Sequence, residues 1–342
     1  MKIALDAMGS DNGPVAEVQG GLLACQACHD IEVVFVGDQQ AIQDEIDKHK
    51  HLARKARYSI VHASQVIEMG DSPSTALKRK PDSSIVVAQK LQRNQQVDAV
   101  VSAGNTGAAM ASGLLILGRL KGVHRPAIGT FVPSEKGVSF LIDVGANVDS
   151  KPKNLYEFAI MGSIFMSRIV GIPKPKVGLL SIGEEKEKGN ELVQTVHAQL
   201  SESKLNFIGN IEGNHILNSE ANVIVCDGFV GNILLKFAES LIDVFSTQVK
   251  RSIKESFLAK LGALLMLPVF KKIKKTWNYE EYGGVPLLGV NGVVIISHGR
   301  STPKAISNAI LKAREMVETK VNENIRHELE ALRGLEVVSE NA

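Results

Sequence analysis

The strongest constraint on this chain is a strand, a Gly-bearing polar turn and a helix read in immediate succession. Val97–Val101 (VDAVV) is apolar and β-branched, Ser102–Gly107 (SAGNTG) is small and polar, and Ala108–Leu117 is rich in Ala and Leu. That order sets the unpaired backbone N–H groups of a helix N-terminus just beyond the carboxyl end of a strand. Gly104 and Gly107 read as positions free to take positive φ and to admit a ligand to the backbone. Ser102, Asn105 and Thr106 add side-chain donors. The natural guest for such a corner is an anion, most simply phosphate. The plainer reading is a tight turn capped by Asn105 with no ligand, and this stretch alone does not choose between them.

The same alternation runs through the chain. Strands are expected at Lys2–Asp6, Ile31–Val36, Tyr58–His62, Ala127–Val132, Val138–Asp143, Lys176–Ile182, Leu205–Ile211, Ala221–Cys226 and Gly292–Ser297. Helices are expected over Val15–Cys28, Gln39–Lys50, Leu155–Val170, Glu191–Leu200 and from Thr302 onward. Strands and helices in alternation predict an α/β fold, with a largely parallel sheet between two helical layers, α/β/α. The 342 residues suffice for one such domain, and the best boundary between subdomains is near 171–175, at Ile172-Pro173-Lys174-Pro175. Ligands of parallel sheets bind outside the carboxyl ends of strands. Gly-bearing turns at Asp6–Gly13, Ser102–Gly107, Asp143–Asp149 and Asp227–Asn232, with His298-Gly299 as a fifth, therefore predict a cleft built from loops. Asp6 and Asp11 read as turn or helix caps rather than a metal pair.

Composition excludes several classes. A formal net charge of +2 and 5% aromatic residues do not favour nucleic acid. The three cysteines, Cys25, Cys28 and Cys226, fit a reducing compartment, and the Cys25–Cys28 pair lacks the partners a zinc site needs. The N-terminus has no signal-peptide core, and no apolar run reaches the roughly 20 residues that span a bilayer, so a cytoplasmic protein is expected. The P-loop, the dinucleotide fingerprint, the zinc-protease helix and the nucleophile elbow are all missing.

One segment stands apart from this core. Over Lys250–Lys275, Ile253, Phe257, Leu261, Leu264 and Leu265 recur at helical spacing among eight basic residues and one acid, a local charge of +7. The apolar run Leu261–Phe270 is too short to span a bilayer, and Trp277 and Tyr279 follow it. Residues 250–277 thus read as an amphipathic basic hairpin for a membrane surface or a subunit interface, with Phe257, Leu261, Leu264 and Leu265 as the contacting side chains. Packing on the domain itself is the alternative.

Five ordered motifs, DAMGSD (Asp6–Asp11), SAGNTGA (Ser102–Ala108), DVGAN (Asp143–Asn147), CDGFVGN (Cys226–Asn232) and YGGVPLLGVNG with ISHGRS (Tyr282–Ser301), resemble the bacterial phosphate acyltransferase (PlsX) family over nearly the whole chain. Ser10 stands where that pattern has Gly, and Arg300 where a small residue is usual. The resemblance implies a fold similar to isopropylmalate dehydrogenases and phosphotransacetylases. It implies transfer of a fatty acyl group from acyl carrier protein to inorganic phosphate, giving acyl phosphate for phospholipid synthesis. It further implies a homodimer held peripherally at the inner face of the cell membrane, a membrane glycerol-3-phosphate acyltransferase as consumer of the product, and no cofactor or metal.

The chemistry suits the residues. A thioester is already activated, its thiolate leaving at a pKa near ~8.5, and phosphate brings its own nucleophilic oxygens. What remains is to position two anionic partners and stabilise a tetrahedral oxyanion. Ser102, Gly104, Asn105, Thr106 and Gly107 are the candidates for phosphate or oxyanion binding, with Asn105, Asn232 and His298 as catalytic candidates. Asn147 and Asn232 are read as positioning the acyl carbonyl, Asp143 and Asp227 as orienting the loops. His298 is equally a capping or core histidine. The alternatives are a phosphotransacetylase using acyl-CoA, an NAD-dependent dehydrogenase and a non-catalytic membrane-associated scaffold.

Overall fold

The computed structural model describes residues 1–135, 137–270 and 283–340. Its strands are β1 (Lys2–Asp6), β2 (Glu32–Gly37), β3 (Tyr58–His62), β4 (Ala99–Ser102), β5 (Ala127–Ser134), β6 (Gly137–Ile142), β7 (Lys176–Ser181), β8 (Asn206–Glu212), β9 (Val223–Val225), β10 (Val285–Leu288) and β11 (Val293–Ile296). They join in one sheet, ordered β3-β2-β1-β4-β11-β10-β5-β6-β9-β7-β8. Side chains alternate between its faces. Ile3, Leu5, Val33, Phe35, Phe140, Ile142, Val223 and Val225 enter one core, while Ala4, Val34, Val36, Leu141 and Ile224 enter the other. Burial on both faces explains why the strands are continuous apolar runs rather than half-polar ones.

Helices supply the outer layers. One face carries α1 (Val15–Ala27), α2 (Gln39–Lys48), α3 (Lys50–Ala53), α7 (Pro152–Phe165), α8 (Glu191–Ser201), α11 (Pro303–Glu318) and α12 (Val321–Glu340). The other carries α4 (Pro73–Arg79), α5 (Ser84–Arg93), α6 (Thr106–Ser112) and the start of α9 (Gly228–Glu255). The three layers are those expected. Two helices end differently from expectation: α6 and α7 each run into a π-helical turn, at Gly113–Leu117 and Met166–Val170. The Ile172–Pro175 stretch joins the second of these turns to β7, inside one half of the sheet.

Strand direction departs from a simple parallel sheet. β3, β2, β1, β4 and β11 run parallel, as do β6, β9, β7 and β8. Between these blocks, β11–β10, β10–β5 and β5–β6 are antiparallel. Three successive reversals set the blocks in opposite senses. Their carboxyl-terminal loops therefore leave the sheet in two groups rather than one.

The basic segment forms a hairpin, but its helix starts earlier than expected. α9 begins at Gly228, so Asp227–Asn232 is a cap and first turn rather than a loop. The chain breaks at Ser256, whose hydroxyl accepts from the Ala259 N–H and caps α10 (Phe257–Leu265). No residue of α10 is buried, and Phe257, Leu258, Leu261, Leu264 and Leu265 are all exposed. Only Gly228 and Gly231 are buried along α9. Among the described residues, no helix is long and apolar enough to cross a membrane. Lys271, Lys272, Lys274, Lys275, Trp277, Tyr279 and Tyr282 lie outside the described residues.

Gly129 of β5 is demanded by packing: a Cβ there would lie 2.1 Å from the ring of Phe140, which stacks on Phe165 at 4.4 Å between centroids. Gly129→Ala should cost about 1–3 kcal/mol through overpacking. An unchanged urea midpoint would show that this aromatic layer gives way freely.

Candidate active site

The first loop group gathers at the carboxyl ends of β1, β4 and β11. Asp6 ends β1 and is buried. Its carboxylate accepts from the Ser102 hydroxyl at 2.7 Å and from the Met8 N–H at 3.3 Å. The Ser102 hydroxyl in turn accepts from the Gly104 N–H at 3.1 Å. Burial pushes the Asp6 carboxyl up, and the Ser84 and Ser102 hydroxyls with the Met8 and Gly9 amides offset part of that. Above it two glycine backbones cross. A Cβ on Gly9 would lie 2.9 Å from Gly104 Cα and 2.7 Å from the Asp6 carboxylate. The Asp11 N–H donates to Gly299 O at 3.0 Å, stitching the β1 and β11 loops together.

These contacts revise the expected roles of Ser102, Gly104, Gly107 and Asn105. Neither Gly104 nor Gly107 has positive φ. Gly104 admits Gly9, and Gly107 admits Pro73, whose ring would meet a Cβ at 2.5 Å. Ser102 and the Gly104 N–H are occupied by the Asp6 network. Asn105 caps α6, its Oδ1 accepting from the Ala108 N–H at 3.0 Å. Its amide Nδ2 donates to the carbonyls of Glu68, Met69 and Asp71 at 3.2, 3.0 and 3.1 Å. Asn105 is thus a clamp on the segment before α4, with no side-chain donor left over for a ligand. What the corner still offers, among the described residues, is the backbone N–H groups of Asn105, Thr106 and Gly107 and the exposed Thr106 hydroxyl.

His298 follows β11 and is exposed. Its Nδ1 accepts from the Arg300 N–H at 3.1 Å. A neutral ring accepting at Nδ1 carries its proton at Nε2. Nδ1 is therefore occupied by that bond.

The second loop group follows β6 and β9. Asp143 is fully buried. It accepts from the N–H groups of Ile128 (3.1 Å), Ala146 (3.0 Å) and Asn147 (2.7 Å), and from Asn147 Nδ2 (2.9 Å). The other hydrogen of the Asn147 amide goes to Pro126 O at 2.7 Å. Even with these donors, burial holds the Asp143 carboxyl above its ordinary value. Asp227 caps α9, accepting from Phe229 and Val230 N–H at 3.0 and 3.1 Å. α9 then lies against the Asp143 loop so closely that a Cβ on Gly231 would sit 1.9 Å from Asp143 O. Asn232 projects over Gly145, which takes φ +129, and its amide has no hydrogen-bond partner among the described residues. A groove of about 630 Å³ adjoins this corner, walled by Leu155, Leu180, Ile182, Val193, Val230 and Leu234, with Asp227 in its lining.

The structure thus brings Ser102, Gly104, Asn105, Thr106, Gly107 and His298 into one group and Asp143, Asn147, Asp227 and Asn232 into another. Among the described residues no hydrogen bond joins the two. The uncommitted donors are the Asn105–Gly107 amides and the Asn232 side chain, an arrangement for holding anions and carbonyl oxygens rather than for proton abstraction. Nothing in the sequence marks the Glu68–Asp71 carbonyls as partners of Asn105, because a backbone acceptor carries no residue signature. Glu17, buried behind the first group, reads in the sequence as an ordinary acid in a first helical turn.

A family model described as "Fatty acid synthesis protein" matches residues 1–324. A phosphate acyltransferase of Heliobacterium modesticaldum is 50% identical over 318 residues, covering 93% of this chain and 94% of that one. A phosphate acyltransferase of Pelotomaculum thermopropionicum is 47% identical over 332 residues, covering 97% and 96%. Among solved structures, a phosphotransacetylase from Streptococcus pyogenes aligns with TM-score 0.61 at 17% identity, over 93% of this chain and 94% of that one. A branched-chain phosphotransacylase from Enterococcus faecalis aligns with TM-score 0.60 at 14% identity, over 93% and 99%. The fold is the phosphotransacetylase-like α/β fold.

Asn105→Ala should cost about 1 kcal/mol through the lost cap. It should also speed amide exchange in residues 66–72 with little change elsewhere. Unaltered exchange there would show that the segment holds itself.

Proposed function

The chain belongs to the fatty acid synthesis protein family and is an acyltransferase, and on that premise we propose that it moves a fatty acyl group from acyl carrier protein to inorganic phosphate. The product is an acyl phosphate for phospholipid synthesis. The observation that carries this reading is the Asn105–Gly107 turn, whose backbone amides remain uncommitted while Ser102 and the Gly104 N–H are tied into the Asp6 network and the Asn105 side chain is tied to α6 and the segment before α4.

Phosphate sits against those amides and the Thr106 hydroxyl. One of its oxygens attacks the thioester carbonyl carbon, forming a C–O bond and a tetrahedral oxyanion. Collapse of that intermediate breaks the C–S bond, and the thiolate leaves and takes a proton from water. The Asn232 amide is the donor for the carbonyl oxygen. Asn105, Asp143, Asn147 and Asp227 act one step back, by fixing the loops. Positioning of this kind lowers a barrier by roughly 7–11 kcal/mol, and an oxyanion donor contributes about 3–4 kcal/mol. The acyl chain lies in the apolar groove beside Asp227, a reading supported by its walls.

The α9–α10 hairpin serves attachment. Its exposed Phe257, Leu261, Leu264 and Leu265 meet an anionic membrane surface, with Lys250, Arg251, Lys254 and Lys260 close in sequence. The exposed apolar residues along α9, Phe237, Leu241 and Phe245 among them, suit a second copy of the chain in a homodimer. The same basic residues suit the acidic carrier protein.

Incubation with acyl carrier thioester and phosphate should yield acyl phosphate, trapped as a hydroxamate. Asn232→Ala should lower its rate about 100-fold or more with the fold intact. Turnover of acyl-CoA but not of carrier thioester would sink the donor assignment. Separately, cosedimentation with phosphatidylglycerol vesicles should be salt-sensitive and lost when Leu261, Leu264 and Leu265 become Glu. Retained binding would remove the membrane role.

A further inference from the structure

Glu17 is the third residue of α1, the helix that follows the Asp6–Gly13 loop. Its side chain is fully buried, and neither carboxyl oxygen has a hydrogen-bond partner among the described residues. Such a group is expensive unless it keeps its proton. α11 packs on α1 one helical turn further along, where a Cβ on Gly20 would lie less than 3 Å from Pro303 O and the Ile306 side chain.

We propose that Glu17 is a positioning residue for the anion: a buried acid behind the first loop group whose proton keeps a second negative charge away from bound phosphate. This rests on the reading that phosphate occupies the Asn105–Gly107 turn. The link runs through Asp6, which lies directly beneath the Gly9–Gly104 crossing and acts electrostatically on Glu17. The two carboxyls differ in surroundings. Asp6 is also pushed up by burial, but it has the Ser102 hydroxyl and the Met8 N–H as donors, which favour its charged form. Glu17 has burial against it, offset only in part by the nearby Ser10 hydroxyl, and its pKa rises to about 7 from an ordinary 4.5. Burial is the main cause, and the Asp6 charge adds to it in the same sense.

The charged groups on the elements around α1 are engaged elsewhere. Glu45 of α2 pairs with Lys48 and His49, and Glu32 of β2 with Lys2 and Arg57. Asp44 and Asp47 accept from Gln40 and Gln43. On α11, Lys312 pairs with Glu315, and Arg314 with Asp30 and Glu318. Lys304, at its start, is exposed, as are Lys50 and His51 of α3. Among the described residues Asp6 is the charge that acts on Glu17.

Below neutral pH Glu17 is neutral and adds no charge behind the anion. As pH rises past Glu17's own value, a second negative charge appears behind the anion. The test is calorimetric binding of inorganic phosphate to the wild-type protein and to Glu17→Gln, which is close in shape and permanently neutral. At about pH 6 the two should bind alike, and at about pH 8 the variant should bind about tenfold tighter. The variant should also melt higher than wild type at both pH values, by a wider margin at the upper, because Glu17 ionises above its ordinary 4.5 in the unfolded chain but only near 7 in the folded one. Phosphate binding with the same pH dependence in both proteins would overturn the role of Glu17 and leave the phosphate site standing. Failure of both proteins to bind phosphate at either pH would overturn the site and this inference together. Should Glu17→Gln not fold, infrared difference spectra of the wild-type protein decide. A carboxylic acid C=O band that fades between those pH values and is restored by phosphate supports the proposal, and its absence overturns it.

Discussion

A carboxylate withdrawn from water is costly unless hydrogen bonds replace its hydration. This fold uses that demand twice. Beyond β6, Asp143 draws in the amides of Ile128, Ala146 and Asn147 and the side chain of Asn147, and so ties the start of β5 to the loop on which α9 rests. Beyond β1, Asp6 draws in Ser102, which holds the Gly104 amide, and the loops of β1 and β4 meet over it. Each acid needs donors that only neighbouring loops supply, so each fixes those loops. The donors left over, at Asn105–Gly107 and Asn232, inherit a rigid frame. Preorganised donors of this kind are what acyl transfer to an anion asks for.

The sheet and its layers were largely legible. KIALD, EVVFVG and VVII are apolar on both faces because helices cover both, and that pattern is visible without coordinates. Strand sense was not. β10 is a four-residue strand containing Pro286, set between Gly283-Gly284 and Gly289, and nothing in VPLL tells whether it runs with or against its neighbours. One such strand and its two partners reverse half the sheet, so the turns that looked like one loop cluster form two.

At the site, residue types were readable and their partners were not. Asn105 was visible as a cap, since Asn before a helix is a local signal. Its second task, gripping three carbonyls some 34 to 37 residues earlier, is a tertiary fact. The glycines of the Ser102–Gly107 turn were read as conformational and proved to be spatial, each making room for another backbone or ring. The basic hairpin was clear from its charge and apolar spacing, whereas its length was hidden because GFVGN reads as a turn until Asp227 is seen capping it.

The strand that reverses the sheet is also its narrowest seam. β10 meets β11 through two residue pairs and β5 through two more, whereas β5 and β6 share six. A sheet resists bending in proportion to the ladder that must be disturbed, and here that ladder is shortest between the two loop groups. Any flexing of the block around β1 against the block around β6 would therefore fall on these few residue pairs rather than on the frames around Asp6 and Asp143.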